Sequence, residues 1–192
     1  MKFTDKKTIQ IDREPSDLDN FALDFIKILR KHTNYVIVSG YVSILLGRSR
    51  ASEDIDVVVP KIDFRKFQAM YKDIKKKNFI CLNVEDDKSV FSYLEDGVAV
   101  RFANKGNVIP NIEFKFAKNK FENIALDESI TVKLSEEELK ISPLELQIAF
   151  KQEVLKSPKD LEDAHHLEKI AESYLDNKMI KKYREMLREF YN

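Results

Sequence analysis

Glycine, cysteine and tryptophan are scarce in this chain of 192 residues, which has four glycines, one cysteine and no tryptophan. The single cysteine, Cys81, excludes an intrachain disulfide framework and a zinc site built from several cysteines, and it fits a reducing cytosol. No Gly/Ser linker, repeat or low-complexity tract divides the chain. The length therefore suits one domain of ordinary size, or a compact domain with a helical extension.

An excess of charge of one sign and a long hydrophobic run are also missing. The 33 basic residues balance the 33 acidic ones, so no strongly basic domain points to a nucleic-acid-binding protein. Hydrophobic residues make up 43% and charged residues 34%, which argues against both a disordered chain and a membrane protein. No run reaches the roughly 18–20 apolar residues of a membrane span. The start of the chain has no apolar segment typical of a signal peptide, so we expect a soluble cytoplasmic protein.

The hydrophobic pattern predicts an α/β (α+β) core followed by a mainly helical tail. Asp96-Gly97 lies between two strand-like runs, which favours a β-hairpin. The predicted division is a core over residues 1–125 and a C-terminal extension over residues 126–192. Helices are predicted over 16–31, 41–47, 63–77, 143–156, 158–174 and 177–190, strands over 35–38, 55–59, 79–84, 89–96, 97–102 and 108–116, and a hairpin over 129–141.

Two acids stand at the start of one predicted strand. Asp54 and Asp56 are two residues apart, so both side chains project from the same face, roughly 7 Å apart along the strand. Two carboxylates beside apolar residues are costly unless a cation compensates them, and Mg²⁺ takes one or two carboxylates together with substrate phosphates. Taken alone, the pair has an alternative interpretation, in which the two acids are surface residues of an exposed edge strand.

A turn at Ser39-Gly40 precedes the two acids, between a predicted strand and a predicted helix. Free backbone N–H groups at the start of a helix bind anions, so this turn is a candidate phosphate site. A phosphate site and a metal site on consecutive strands meet the requirements of metal-assisted phosphoryl or nucleotidyl transfer.

Residues 36–60 resemble the nucleotidyltransferase superfamily typified by DNA polymerase beta. Its hallmark is an apolar residue, a glycine, then glycine or serine, a spacer, and an Asp-apolar-Asp/Glu-apolar segment. Val38-Ser39-Gly40 and Asp54-Ile55-Asp56-Val57 fit this pattern, although the first glycine is replaced by Ser39. The resemblance implies a mixed sheet flanked by helices.

Residues 141–167 are similar to the C-terminal signature of the AbiEii-like nucleotidyltransferases, in which a lysine on one helix precedes a K-D-x-x-D helix start. Lys151 matches the lysine, and Asp160 and Asp163 match the acidic pair. Family members include toxins of toxin–antitoxin pairs that transfer nucleotides to RNA or protein.

The resemblance also implies a set of site residues. Asp54, Asp56 and Glu113 are the expected catalytic and metal-binding carboxylates, holding two Mg²⁺ ions, with Mn²⁺ as a substitute. Glu113 departs from the aspartate that is commonest at the third position. The residues expected to bind the nucleotide are Ser39, Gly40, Ser43, Arg50, Lys151 and Asp160.

Four of these positions have a structural alternative. Glu113 is otherwise a solvent-facing strand residue, and Arg50 a cation on a surface loop. Lys151 is otherwise a surface lysine whose stem lies along the helix, and Asp160 an acid favoured in the first turn of a helix.

The function expected from these residues and the resemblance is Mg²⁺-dependent transfer of a nucleoside monophosphate from an NTP. The acceptor would be a hydroxyl of RNA (tRNA-like) or of protein, and the chain would be one component of a toxin–antitoxin pair with an antitoxin partner. The alternative is a catalytically silent nucleotide- or protein-binding module with the same fold.

Overall fold

The computed structural model describes residues 1–51 and 54–191. Within these residues, nine strands form a single mixed sheet in the order β1-β2-β8-β9-β3-β4-β7-β6-β5. The strands are β1 (Lys2–Asp5), β2 (Thr8–Ile11), β3 (Val36–Val38), β4 (Asp54–Val59), β5 (Phe79–Cys81), β6 (Val100–Asn104), β7 (Asn111–Phe116), β8 (Ile130–Leu134) and β9 (Glu137–Ile141). The helices are α1 (Asp17–Leu29), α2 (Gly40–Leu45), α3 (Phe64–Lys76), α4 (Asp87–Glu95), α5 (Lys120–Asp127), α6 (Leu144–Phe150), α7 (Pro158–Ile170) and α8 (Asn177–Tyr191). A π-helical turn, Lys151–Leu155, continues α6.

The two faces of the sheet are covered by different helices, and β4 shows why. Its residues alternate, so Ile55, Val57 and Val59 pack into the larger core, which includes apolar residues of α1, α3 and α4. Val58 points to the opposite face and packs with residues of α5, α6 and α8. Asp54 and Asp56 share the face of Val58, so they lie on the side of the sheet that the C-terminal helices cover.

The predicted mixed α/β fold is confirmed, and so are most of its helices and strands. The hairpin expected over residues 129–141 is formed by β8 and β9, which pair antiparallel. These two strands lie inside the sheet, between β2 and β3. The sheet is therefore continuous across residue 125, and the division of the chain there stays a prediction.

The strand predicted over residues 89–96 is wrong, because this segment belongs to α4. Asp86 caps the helix by accepting a hydrogen bond from the Ser89 backbone N–H, and Val90 and Leu94, four residues apart, are buried on one face. Gly97, at a φ of 76°, follows the last helical turn. The Asp96-Gly97 pair thus ends a helix, as a glycine with positive φ commonly does, and it forms no hairpin.

An ion-paired cap fixes α1 against α2. Asp19 is fully buried, accepts hydrogen bonds from the backbone N–H and hydroxyl of Ser16, and pairs with Arg13 at 2.6 Å. The Tyr41 hydroxyl donates to the same carboxylate at 2.6 Å. Burial raises the pKa of Asp19, but the bonds from Arg13, Tyr41 and Ser16 outweigh it and hold the pKa below its usual value. Tyr41 directly follows Gly40, so this cap anchors the start of α2.

Candidate active site

The Ser39-Gly40 turn joins β3 to α2 through an unusual backbone conformation. Ser39 has φ 65° and ψ −137°, a region that glycine occupies without strain and other residues rarely adopt. The serine therefore takes the conformation that a glycine would provide at this position. The turn brings the Ser39 side chain near the Asp56 carboxyl, whose pKa it lowers.

The register of the central strands brings the acids beside this turn. Val38 pairs with Asp56 across the antiparallel β3–β4 ladder, and Asp56 pairs with Glu113 across the parallel β4–β7 ladder. Neighbouring strands lie about 4.8 Å apart, and paired residues point to the same face. Asp56 and Glu113 therefore project side by side from the face that also carries Asp54.

Asp54 has a supporting contact on the adjacent strand. Its Oδ1 accepts a hydrogen bond from Nδ2 of Asn111 at 2.7 Å, and the two residues are register partners. Asn111 is buried, and its own Oδ1 has no hydrogen-bond partner among the residues that the structure describes. The amide thus orients Asp54 and leaves one buried acceptor oxygen beside the acids.

The Asp56 carboxyl carries the clearest electrostatic signature of the site. Burial raises its pKa to about 6, and the negative charges of Glu113 and Asp54 act in the same direction. The hydrogen bond from Ser39 and the charge of Lys115 lower it, but by less. Neighbouring carboxylates that disfavour one another's ionisation are typical of sites that act on cations or protons.

Glu113 is turned toward a cation of the next strand. Its Oε2 accepts a hydrogen bond from the Arg101 guanidinium at 3.1 Å, and its side chain is 30% exposed. Within residues 1–51 and 54–191, no three His, Cys, Asp or Glu side chains stand close enough together to hold a metal ion. The sharing of one metal site by Asp54, Asp56 and Glu113 therefore stays a prediction.

The loop before β4 is tied to the C-terminal helices by a buried ion network. Asp163 on α7 is fully buried and pairs with both Arg48 and Arg50. Lys151, also fully buried, pairs with Asp163 at 2.8 Å and with Asp160 at 3.6 Å. Burial raises the pKa of Asp163, but Lys151 and the two arginines more than offset it, so the pKa lies below its usual value.

Arg50 also contacts the Ser39-Gly40 turn. Its guanidinium lies against Gly40, where an added Cβ would stand 3.1 Å from one terminal nitrogen. The Arg50 Nε is buried and has no hydrogen-bond partner in the described part of the chain. Gly40 therefore allows the guanidinium to reach the start of α2, and Asp163 holds it there.

The expected site residues fall into two groups. Ser39 and Asp56 line a common cavity of about 420 Å³, and Asp54 and Glu113 share the sheet face of Asp56. Arg50, Lys151 and Asp160 belong to the ion network. Lys151 is fully buried, so the alternative of a surface lysine is wrong. Ser43 is fully buried on α2, and its Oγ has no hydrogen-bond partner among the described residues.

Four residues of this region were not anticipated from the sequence. Arg48 lies two residues before Arg50, and no hydrophobic or motif pattern distinguishes a loop arginine that binds a buried acid. Asn111 and Arg101 become relevant only through strand register, because each faces its acid from an adjacent strand. Gln147 lies within the helix α6, where its polarity interrupts an otherwise apolar face. This interruption was the one feature of the sequence that could have marked Gln147 as a candidate functional residue.

Solved structures place this architecture among known folds. The chain is similar to an antigenic nucleotidyltransferase-like protein from Paracoccidioides brasiliensis, with a TM-score of 0.50, 15% sequence identity, and coverage of 88% of this chain and 86% of that one. It is also similar to the antibiotic-resistance factor ANT(2'')-Ia, with a TM-score of 0.53, 14% identity, and coverage of 92% and 95%. The chain has the nucleotidyltransferase fold. This confirms the fold expected from the Ser39-Gly40 and Asp54/Asp56 pattern.

Sequence comparisons give no closer relationship. No protein-family model matches the chain, and no curated protein matches it. The AbiEii-like resemblance of residues 141–167 therefore stays a prediction. Among the described residues, none of the helices combines the length and the apolar character that crossing a membrane requires.

Proposed function

We propose that this protein is a Mg²⁺-dependent nucleotidyltransferase that moves a nucleoside monophosphate from an NTP to a hydroxyl group. The observation that carries the proposal is the position of Asp56: it is paired with Glu113 on one neighbouring strand and with Val38, next to the Ser39-Gly40 turn, on the other, and it has a raised pKa. The nucleotidyltransferase fold of the chain supports the same reaction.

The donor set suits magnesium. Asp54 and Asp56 offer carboxylate oxygens from one face of β4, and a cation between them would relieve the repulsion that raises the pKa of Asp56. Glu113 is proposed as the third ligand, after its carboxylate leaves Arg101. Two bound ions, Mg²⁺ or Mn²⁺, would neutralise phosphate charge and lower the pKa of the acceptor hydroxyl.

Groups of the protein itself would bind the phosphates and neutralise part of their charge. Backbone N–H groups at Ser39 and Gly40 would bind phosphate oxygens, and Arg50, held against Gly40, would add positive charge beside them. The acceptor hydroxyl would release its proton to solvent and its oxygen would form a bond to the α-phosphorus. The bond from that phosphorus to the oxygen shared with the β-phosphorus would break, and pyrophosphate would leave. Catalysis would rest mostly on positioning and on charge neutralisation.

The acceptor and the biological role follow from the family resemblance alone. By that resemblance, the acceptor would be a hydroxyl of tRNA-like RNA or of a protein, and the chain would be one component of a toxin–antitoxin pair. Lys151 and Asp160 would then act on the nucleotide from the C-terminal helices. A catalytically silent nucleotide-binding module is the alternative outcome of the experiment below.

The test is label transfer. The protein is incubated with Mg²⁺ and each NTP labelled at the α-phosphate, with total RNA or total protein as acceptor, and the products are separated on denaturing gels. Label should appear in one acceptor class, should be absent with γ-labelled NTP, and should be absent with Asp56→Asn. Nucleotide binding without transfer, across all four NTPs and both acceptor classes, would favour the silent module.

A further inference from the structure

A cavity leads away from the acids under the C-terminal helices. It has a volume of about 420 Å³ and is lined at one end by Ser39 and Asp56. Val58, two residues beyond Asp56 on the same face of β4, lines its continuation and lies roughly 7 Å further along the strand. The cavity is of the size that small-molecule ligands occupy, and it begins at the groups proposed to act on phosphate.

The far part of this cavity is aromatic and apolar. Phe121, Phe150 and Tyr191 contribute rings from α5, α6 and α8, and Leu146 adds an aliphatic side chain. Tyr191 is stacked on Phe121 with ring centroids 6.4 Å apart, and it meets Phe150 edge-on at 6.0 Å. Tyr191 is nevertheless 48% exposed. Its ring is thus held in place by two neighbours while retaining free surface at the cavity.

Gln147 places a side-chain amide in this cavity. The residue is only 6% exposed, and no hydrogen bond joins its amide to the described residues. Unlike Oδ1 of Asn111, the amide is not both fully buried and unpaired, so it is accessible from the cavity and can pair with a ligand there. The amide offers both a donor and an acceptor, and it therefore matches a ligand whose edge carries both.

We infer that this cavity is the nucleobase subsite of the proposed reaction, in which Tyr191 stacks on the base and Gln147 pairs with its edge. A base has a planar face for the aromatic rings and adjacent donor and acceptor atoms for the amide. An aliphatic ligand would satisfy the rings and leave Gln147 unpaired. The inference rests on the proposed function, because the phosphates of the same nucleotide must reach Ser39 and the acids.

The roles of the two residues differ. Tyr191 can stack on any base, since every base has a π-face. Gln147 should bind the four bases with different affinities, because their edges differ in hydrogen-bond donors and acceptors. Gln147 is thus the specificity-determining residue. Gln147→Leu removes the amide and keeps most of the volume. Because the wild-type amide makes no hydrogen bond within the described residues, this variant should fold with about unchanged stability.

The experiment is calorimetric titration of the whole protein with each of the four Mg-NTPs and, separately, with Mg-tripolyphosphate. Gln147→Leu should weaken the preferred NTP at least about tenfold and reduce the difference between the four bases. Tyr191→Ala should weaken all four NTPs at least about fivefold. Neither variant should change tripolyphosphate binding. Gln68→Leu and Tyr93→Ala are the matched controls, since both side chains are exposed and lie outside the cavity.

The outcomes separate the subsite from the proposed function. If wild type binds NTPs and both cavity variants bind them equally well, the base lies elsewhere and the subsite is wrong while the function stands. If wild type binds neither an NTP nor tripolyphosphate, the proposed function fails and the subsite fails with it. Thermal unfolding of each variant, compared with wild type, identifies any loss of binding that results from misfolding.

Discussion

Ser39 directly follows Val38, the register partner of Asp56, and the Ser39 side chain lowers the pKa of the Asp56 carboxyl. Ser39 has a φ of 65°, a value that glycine adopts more readily. Ser39 therefore combines backbone strain with a side-chain interaction that a glycine could not make. Substitutions at this position can separate the two effects.

At position 39 we expect glycine to be more stable than alanine, the reverse of the usual order. Both variants lose the interaction of the Ser39 side chain with Asp56, but Ser39→Ala keeps the backbone strain whereas Ser39→Gly relieves it. The difference in free energy of unfolding should be about 1 kcal/mol in favour of glycine, measured by urea denaturation. Equal stability, or a more stable alanine variant, would contradict the backbone conformation described for Ser39.

Asp56→Asn should abolish nucleotidyl transfer and leave the fold intact. The substitution is nearly isosteric, and it removes the charge repulsion between Asp56 and Glu113 in the metal-free protein. The thermal unfolding temperature at pH 7 should therefore be equal to or higher than that of wild type. Asp12→Asn, at an exposed position, is the control and should change neither property. Retained transfer in Asp56→Asn would exclude Asp56 from the proposed chemistry.

The raised pKa of Asp56 predicts a dependence of stability on pH. The pKa is 3.8 without the protein environment and about 6 in the folded protein. Below about pH 4 the carboxyl is protonated in both states; between about pH 4 and 6 the unfolded chain loses this proton while the folded protein retains it. The stabilising contribution is therefore lost as the pH rises through about 6, by up to about 3 kcal/mol.

This loss should be visible as a difference between two variants. The free energy of unfolding of the metal-free wild type, measured in urea with chelator present, should fall relative to that of Asp56→Asn as the pH rises from 4 to 7. Comparison with Asp56→Asn cancels the titration of the other groups. A difference that stays constant over this range would show that Asp56 ionises normally.

Much of the site was predictable because it depends on local sequence. The two-residue spacing of Asp54 and Asp56 fixes their common face, and the strand, turn and helix around Ser39-Gly40 follow from hydrophobic pattern. Glu113 could be proposed from its place within an apolar strand, but its register opposite Asp56 depends on pairing with a distant segment. Asn111 depends on the same β4–β7 pairing and Arg101 depends on the β6–β7 pairing, and neither residue was foreseen.

The one wrongly predicted strand also has a local cause. Residues 89–96 alternate enough to suggest a strand, yet Asp86 and Gly97 delimit a helix whose buried residues are four apart. Lys151 shows a different limit. Its neighbours predicted a helix, but its full burial follows from the docking of α7, which brings Asp163 to it. A sequence pattern does not report which charges a tertiary contact will pair.

The burial of Lys151 against Asp163 predicts a large effect on folding. Removing one partner of a buried ion pair leaves the other charge without full compensation, so Lys151→Ala should destabilise the protein by about 3 kcal/mol. Arg48 and Arg50 still pair with Asp163, which keeps the loss at the lower end of the range for buried pairs. Lys169→Ala, at an exposed position of α7, the helix that carries Asp163, is the control and should cost less than about 0.5 kcal/mol.

Lys151→Met separates a role in folding from a role in nucleotide binding, because it keeps most of the buried volume and removes only the charge. It should be more stable than Lys151→Ala in urea denaturation. Titration of the folded variant with Mg-NTP then tests the predicted contact of Lys151 with the nucleotide. Equal affinity for Mg-NTP in wild type and Lys151→Met would mean that the lysine serves the ion network alone. Affinity reduced in Lys151→Met but unchanged in Lys169→Ala would support the role expected from the AbiEii-like resemblance.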